Sequence, residues 1–252
     1  MKRRDFILGA TVLAAGPALA QTPVTPPAAP VTPAPAPAPS PPAPVATTPA
    51  VPAPVPPAGL APPKPGTVRV RIDTSLGHIT LDLEAKKAPL TTANFLRYVD
   101  RKLYDKATFF RASRAPGAVE YGLIQGGLQN VGVLPPIAHE PTTQTGLKHT
   151  DGVISIARNG PGSATSDFFI CIGDAPYLDA NPAAPGDNQG FAAFGRVVEG
   201  MDVVKTILAL PTPGKAINPV MKGQILDPPV PITSARRVAA PAGPEVTAPP
   251  KL

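Results

Sequence analysis

The side chains that most often carry chemistry are scarce in this sequence: three histidines and one cysteine in 252 residues. His78 falls in an alternating apolar stretch at a position predicted to be exposed. His139 and His149 lie ten residues apart and flank a predicted loop. Neither belongs to an H-E-x-x-H helix, and no cysteine stands beside them at ligand spacing, so the pattern argues against zinc. Cys171 has no partner for an intramolecular disulfide and sits in the apolar run Phe168-Phe169-Ile170-Cys171-Ile172. That is the setting of a buried, inert thiol, since a reactive one wants exposure and nearby cations. A G-x-S-x-G nucleophile elbow is absent from the sequence, as is a phosphate-cradling G-x-x-x-x-G-K-[ST]. Gly126-Gly127, Gly160 and Gly162 read as turn residues. What survives is a reaction that needs only a shaped apolar pocket and one cation, with no metal and no cofactor.

The elements that would hold such a pocket can be read from periodicity. Val68, Val70 and Ile72 alternate with charged residues, as Ile79, Leu81 and Leu83 do with Thr80, Asp82 and Glu84. With Ser75-Leu76-Gly77 between them, they predict a β-hairpin buried on one face. The period then changes. Thr91 is placed as an N-cap, and Phe95/Val99 with Leu96/Leu103 give the stripe of an amphipathic helix. A second short helix is predicted over 202–210, from Val203/Ile207 and Val204/Leu208. Short apolar strands are predicted at 122–125, 153–157, 168–172, 191–197 and 232–238. Many short strands with two helices predict a mainly β fold closed into a barrel, which also removes exposed edges.

Composition divides the chain. Of 39 prolines, 19 fall within residues 21–66, where Pro, Ala, Val and Thr dominate and Lys64 is the one charge. Proline blocks helix and sheet alike, so this stretch is predicted to be a polyproline-like spacer. Residues 1–20 combine a basic start, a short apolar stretch and Ala18-Leu19-Ala20. They read as a signal peptide cut near Ala20, placing the mature protein in the periplasm or another extracytoplasmic compartment. The pair Arg3-Arg4 resembles a twin-arginine signal, and the general secretory route remains an alternative. Residues 67–238 form the folded domain, long enough for one proper core, and 239–252 a tail. The net charge of +6 is scattered, with no basic track for nucleic acid.

Seven blocks occur in order across the domain: Phe109-Phe110-Arg111, 123–127 (LIQGG), 147–150 (LKHT), 154–157 (ISIA), 166–170 (SDFFI), Tyr177-Leu178-Asp179 and Phe194-Gly195-Arg196-Val197. Together with Pro89, Thr91, Asn94 and Phe95, they resemble the signature blocks of the cyclophilins. The resemblance implies an eight-stranded antiparallel barrel capped by two α-helices. It also implies isomerisation of X-Pro bonds in a surface groove, with proline-containing polypeptides as partners.

The resemblance implies roles as well. Amide rotation meets a barrier of ~18–20 kcal/mol because nitrogen shares its lone pair with the carbonyl. A guanidinium beside the prolyl nitrogen can hydrogen-bond the lone pair that localises only in the twisted state, which is differential transition-state binding. Arg111 matches the family's catalytic arginine, and Gln125 the glutamine that orients it and the peptide. Phe169, Leu123 and Leu178 match the apolar walls around the proline ring, although each could equally be plain core. Ala157 matches a small backbone-contact position. Departures cluster at the same site. Phe110 stands where many members have His, Tyr177 where the best-known have Trp, and Phe191 where His is common. Arg158 replaces a substrate-contacting Asn, with Asn159 beside it. Gly122, next to Tyr121, takes the place of an aromatic. Thirteen residues separate Arg111 from Gln125, more than in the family's common pattern, so Ala112–Ile124 is predicted to be an inserted loop at the groove.

The leading expectation is an isomerase acting as a monomer on exported folding proteins, touching a membrane only if the signal segment is retained. The alternatives are a non-catalytic peptide-binding or chaperone module on the same fold, and an envelope protein whose Pro-rich arm is the working part.

Overall fold

The structure, a computed structural model, describes residues 62–238. The signal segment, the Pro/Ala-rich segment up to residue 61 and the tail from 239 onward lie outside the described residues.

The alternating stretches pair as a hairpin, β1 (Val68–Thr74) with β2 (Gly77–Leu83). Six further strands follow: β3 (Thr108–Ala115), β4 (Ala118–Gly127), β5 (Val153–Ile156), β6 (Phe168–Ile172), β7 (Ala192–Glu199) and β8 (Ile225–Arg237). They close in the order β1-β2-β7-β5-β6-β4-β3-β8, all antiparallel. Alternate residues of each strand fill the interior. Ile124, Ile154 and Ile170 meet there across β4, β5 and β6, with Phe109, Phe168 and Phe194 around them. The outward charges of the first hairpin are not all solvated. Arg69 and Asp82 lie across from each other and are both 7 % exposed, joined by two hydrogen bonds of 2.7 and 2.9 Å. Burial without a partner would be costly for either charge, and mutual pairing is what permits it.

The two predicted helices are present. Helix α1 (Pro89–Asp100) sends Phe95 into the barrel, where its ring meets Tyr104, Phe168 and Phe194 at centroid distances of 4.9–5.4 Å. A four-residue helical turn, α2 (Thr142–Thr145), is an addition to the predicted pair. Helix α3 (Met201–Ala209) buries Val203, Val204, Ile207 and Leu208, the predicted stripe.

Thr91 is not the N-cap of α1. The helix begins two residues earlier, because Pro89 is preorganised for the first turn. The exposed donors of that turn are met from outside: the buried Glu140 carboxylate accepts from the Leu90 and Thr91 amides and from the Thr91 hydroxyl, at 3.1, 2.7 and 2.6 Å. Nor is Ala112–Ile124 a loop. Strands β3 and β4 stay paired through it, with a register shift between Arg114 and Ala115, to a tight turn at Pro116-Gly117. Gly126 and Gly127 end β4 rather than making a turn. A Cβ on Gly126 would stand 2.9 Å from the Phe109 ring, and one on Gly127 would meet the backbone of Asp167 at 2.6 Å.

His78 is half-buried rather than exposed, with Nε2 3.5 Å from the Glu199 carboxylate.

Candidate active site

A β-bulge at Phe110 builds the site. Phe109 pairs with Gly126, but the next pairing is Arg111 with Gln125, so one residue of β3 is left over. The bulge re-aims the strand and sets Arg111 on the outer face, directly across from Gln125. The row continues over the barrel wall: Gln125 pairs with Phe169 on β6, and Phe169 with Ser155 on β5. Residues directly opposite share a face. Four strands therefore deliver a cation, an amide, an aromatic ring and a hydroxyl side by side.

Arg111, Gln125 and Phe169 of this row line an outer groove of about 610 Å³, and Ser155 lies buried behind it. Phe110, Arg111, Leu123, Gln125, Ala157, Phe169, Tyr177, Leu178 and Phe191 all border it, as do Arg158 and Asn159, while Tyr121 and Gly122 do not. Its floor is a second apolar cluster, separate from the barrel core. Phe169, Cys171, Ala175 and Leu178 are buried there, with Leu123, Ala157 and Phe191 packed against them. Phe191 stands edge-on to Phe169, with centroids 5.3 Å apart and planes at 90°. The segments after β6 hold this wall. Leu178 lies in a 3-10 turn (Pro176–Leu178), and its carbonyl accepts from the Phe191 amide. Tyr177 projects outward from the same turn, 76 % exposed at the rim.

Electrostatically the groove holds two half-buried guanidinium groups, Arg111 and Arg158. The Nη1 of Arg111 donates to Gln125 Oε1 at 2.9 Å, and its Nε donates to Gln224 Oε1 at 2.8 Å. Burial draws the Arg111 pKa down from its ordinary value, yet a guanidinium remains charged in protein surroundings. Both acceptors are neutral amides, so the charge is positioned without being cancelled. Arg158, the second guanidinium at the groove, is occupied. It bonds the Gly190 carbonyl and the Asp187 carboxylate and stacks 5.4 Å above the Phe191 ring, bracing that wall.

Sequence reasoning assigned no role to two features of the site. His149 is buried beneath the floor, its ring stacked on Phe169 with centroids 6.0 Å apart. Its Nδ1 lies 2.7 Å from Asp179 Oδ1 and its Nε2 2.9 Å from Ser155 Oγ. Burial lowers its pKa below the ordinary imidazole value, against the pull of Asp179, so the ring is neutral at neutral pH. The block Lys148-His149-Thr150 marked the residue but not its partners. Gln224 carried no signal at all, lying 113 residues from Arg111 in a stretch with no motif. Cys171 is buried in the floor, and its thiol pKa is pushed up to about 12 by burial, which makes it inert.

A closed antiparallel barrel with an oriented guanidinium above an apolar floor defines the site. The family model described as cyclophilin type peptidyl-prolyl cis-trans isomerase/CLD matches residues 68–236, and the chain belongs to that family. It is 38 % identical over 149 residues to the peptidyl-prolyl cis-trans isomerase cyp18 of Streptomyces antibioticus, covering 57 % of this chain and 84 % of that protein. A peptidyl-prolyl cis-trans isomerase of Acinetobacter baylyi is 36 % identical over 149 residues, covering 57 % and 73 %. Among solved structures, a Cryptosporidium parvum cyclophilin type isomerase crystallised in the presence of the dipeptide Ala-Pro shares the fold. Its TM-score is 0.54 at 20 % identity, over 68 % of this chain and 99 % of that one.

Proposed function

We propose that this protein catalyses cis/trans isomerisation of X-Pro bonds in polypeptides, with Arg111 as the catalytic cation. The observation that carries the reading is the Arg111 guanidinium, held by Gln125 beside an apolar floor of Phe169, Leu123 and Leu178. The floor takes the proline ring. Its neighbours Phe110, Phe191 and Tyr177 wall the groove, and Ala157 leaves room for peptide backbone. As the amide twists, its nitrogen regains a lone pair, and an N–H of Arg111 donates to it. That bond is strongest at the top of the barrier, so it lowers the barrier rather than merely tightening binding. No covalent bond forms or breaks, and the step asks for no metal or cofactor.

A protease-coupled assay on short X-Pro peptides with the full chain tests this. Arg111→Ala should lower kcat/KM by roughly 10²–10³-fold, the range for removing one transition-state donor. Wild-type rates in that variant would take Arg111 out of the mechanism, and a groove that binds X-Pro peptides without accelerating them would make the protein a binding module.

We also propose that the protein works outside the cytoplasm on newly exported chains, as a monomer. The support is the basic–apolar–Ala-Leu-Ala pattern of residues 1–20 followed by the Pro/Ala-rich spacer. N-terminal sequencing of the exported form should begin at Gln21, and an intact Met1 would contradict cleavage.

A further inference from the structure

We propose that Gln224 is a positioning residue of this site: it sets the plane of the Arg111 guanidinium from the side opposite Gln125. The inference rests on the isomerase reading and adds a residue from an element outside the barrel wall.

Gln224 stands at the end of an arm, residues 211–224, that leaves α3 and returns to the start of β8. The arm is tied down by hydrogen bonds of its own. The Gly214 amide donates to Ile225 O, the Thr212 hydroxyl donates to Gly223 O, and a 3-10 turn (Pro219–Met221) is capped by Asn218. Gln224 itself is held at both backbone groups, its N–H on Met221 O and its carbonyl accepting from Ala112 N. The position of its Cα is therefore independent of its side chain.

The side chain is then committed at both ends of its amide. Oε1 accepts from Arg111 Nε at 2.8 Å, while Nε2 donates to Val220 O at 3.2 Å. The second bond fixes which way the amide faces, so the oxygen is held toward the arginine. A guanidinium has five N–H donors. Gln125 alone would grip Arg111 at one point and leave it free to swing about that contact. With Gln224 on Nε and Gln125 on Nη1, two acceptors from separate elements define its plane. The second N–H of Nη1 and both on Nη2 remain for a substrate in the groove. Fixing a reacting group's orientation before substrate arrives is worth a large factor in rate, and a misplacement of about 1 Å can cost ~10²-fold.

A positioning role predicts an effect on kcat rather than on peptide binding, because the apolar floor does not touch Gln224. In the full chain, Gln224→Met should lower kcat by roughly 10- to 10²-fold and leave KM for an Ala-Pro peptide nearly unchanged. In an Arg111→Ala background, Gln224→Met should have almost no further effect, since the group it positions is gone. Wild-type kcat in Gln224→Met, a rise in KM in place of the loss in kcat, or the same fold-loss without Arg111 would overturn the proposal. If the wild-type chain itself were inactive, the isomerase reading would fail, and this inference with it; the outcomes above, seen with an active wild type, would sink this inference alone.

Discussion

Phe168 and Phe169 are neighbours in β6 and point to opposite faces of the barrel, which allows one substitution to be made twice with different consequences. Phe168 is fully buried in the barrel core, edge-on to Phe95, Tyr104 and Phe109. Phe169, 3 % exposed, forms the groove floor. Changing either to Leu removes about three ring carbons. At ~0.8 kcal/mol per buried methylene, each change should cost about 2 kcal/mol of stability. A domain of this size loses ~2–4 °C of melting temperature per kcal/mol, so both variants should melt roughly 4–8 °C below wild type. Their kinetics should part. If a seated proline touches about half of the lost carbons, Phe169→Leu forfeits ~1–1.5 kcal/mol of contact, or ~5–13-fold in KM. Phe168→Leu should leave KM alone. Thermal melts and steady-state rates on one X-Pro peptide series decide it. Equal KM values in the two variants, with both folded, would refute the placing of the proline ring on Phe169.

Two further perturbations are worked from buried groups. Glu140→Ala strands three donors at the start of α1, at a cost of about 3 kcal/mol, and should lower the melting temperature by roughly 6–12 °C; an unchanged melt would mean water replaces the carboxylate. The His149 pKa is depressed on folding, chiefly by burial, so as pH falls the unfolded chain takes up this proton first. The stability contributed by the neutral ring is complete above about pH 6.5 and is lost as pH drops through the lower folded value. The melting temperature should thus decline below about pH 6.5, before the Asp100 and Asp105 carboxylates, held below their ordinary range by Arg237 and Arg236, begin to protonate. His149→Gln should flatten that upper slope, and an identical slope in the variant would assign it to other groups.

How much of this was legible in the sequence depended on how local each determinant is. The first hairpin, both longer helices and the groove residues are written in short runs: alternation at 68–83, the i, i+4 pairs of α1 and α3, and compact blocks such as Phe109-Phe110-Arg111. Alternation could not say that Arg69 and Asp82 would be buried together, because that depends on their cross-strand register. The stretch 112–124 was misread as an inserted loop because the thirteen residues between Arg111 and Gln125 exceed the family's common spacing, and added length does not tell a loop from a longer hairpin. Thr91 was misplaced as a cap because its real partner, Glu140, lies 49 residues away. Gln224 and the His149–Asp179 pair escaped for the same reason: each contact joins residues far apart in the sequence, 113 and 30 positions respectively.

In the proposed reaction the groove lowers the rotation barrier rather than selecting one isomer. The most direct measurement is NMR exchange between the cis and trans resonances of an Ala-Pro peptide at equilibrium, with a trace of the full chain. A catalyst speeds both directions and leaves the populations as they were. We expect faster exchange at unchanged cis and trans populations, and loss of that acceleration in Arg111→Ala while the peptide still binds. Bound peptide with uncatalysed exchange in the wild-type chain, or full acceleration without Arg111, would contradict it.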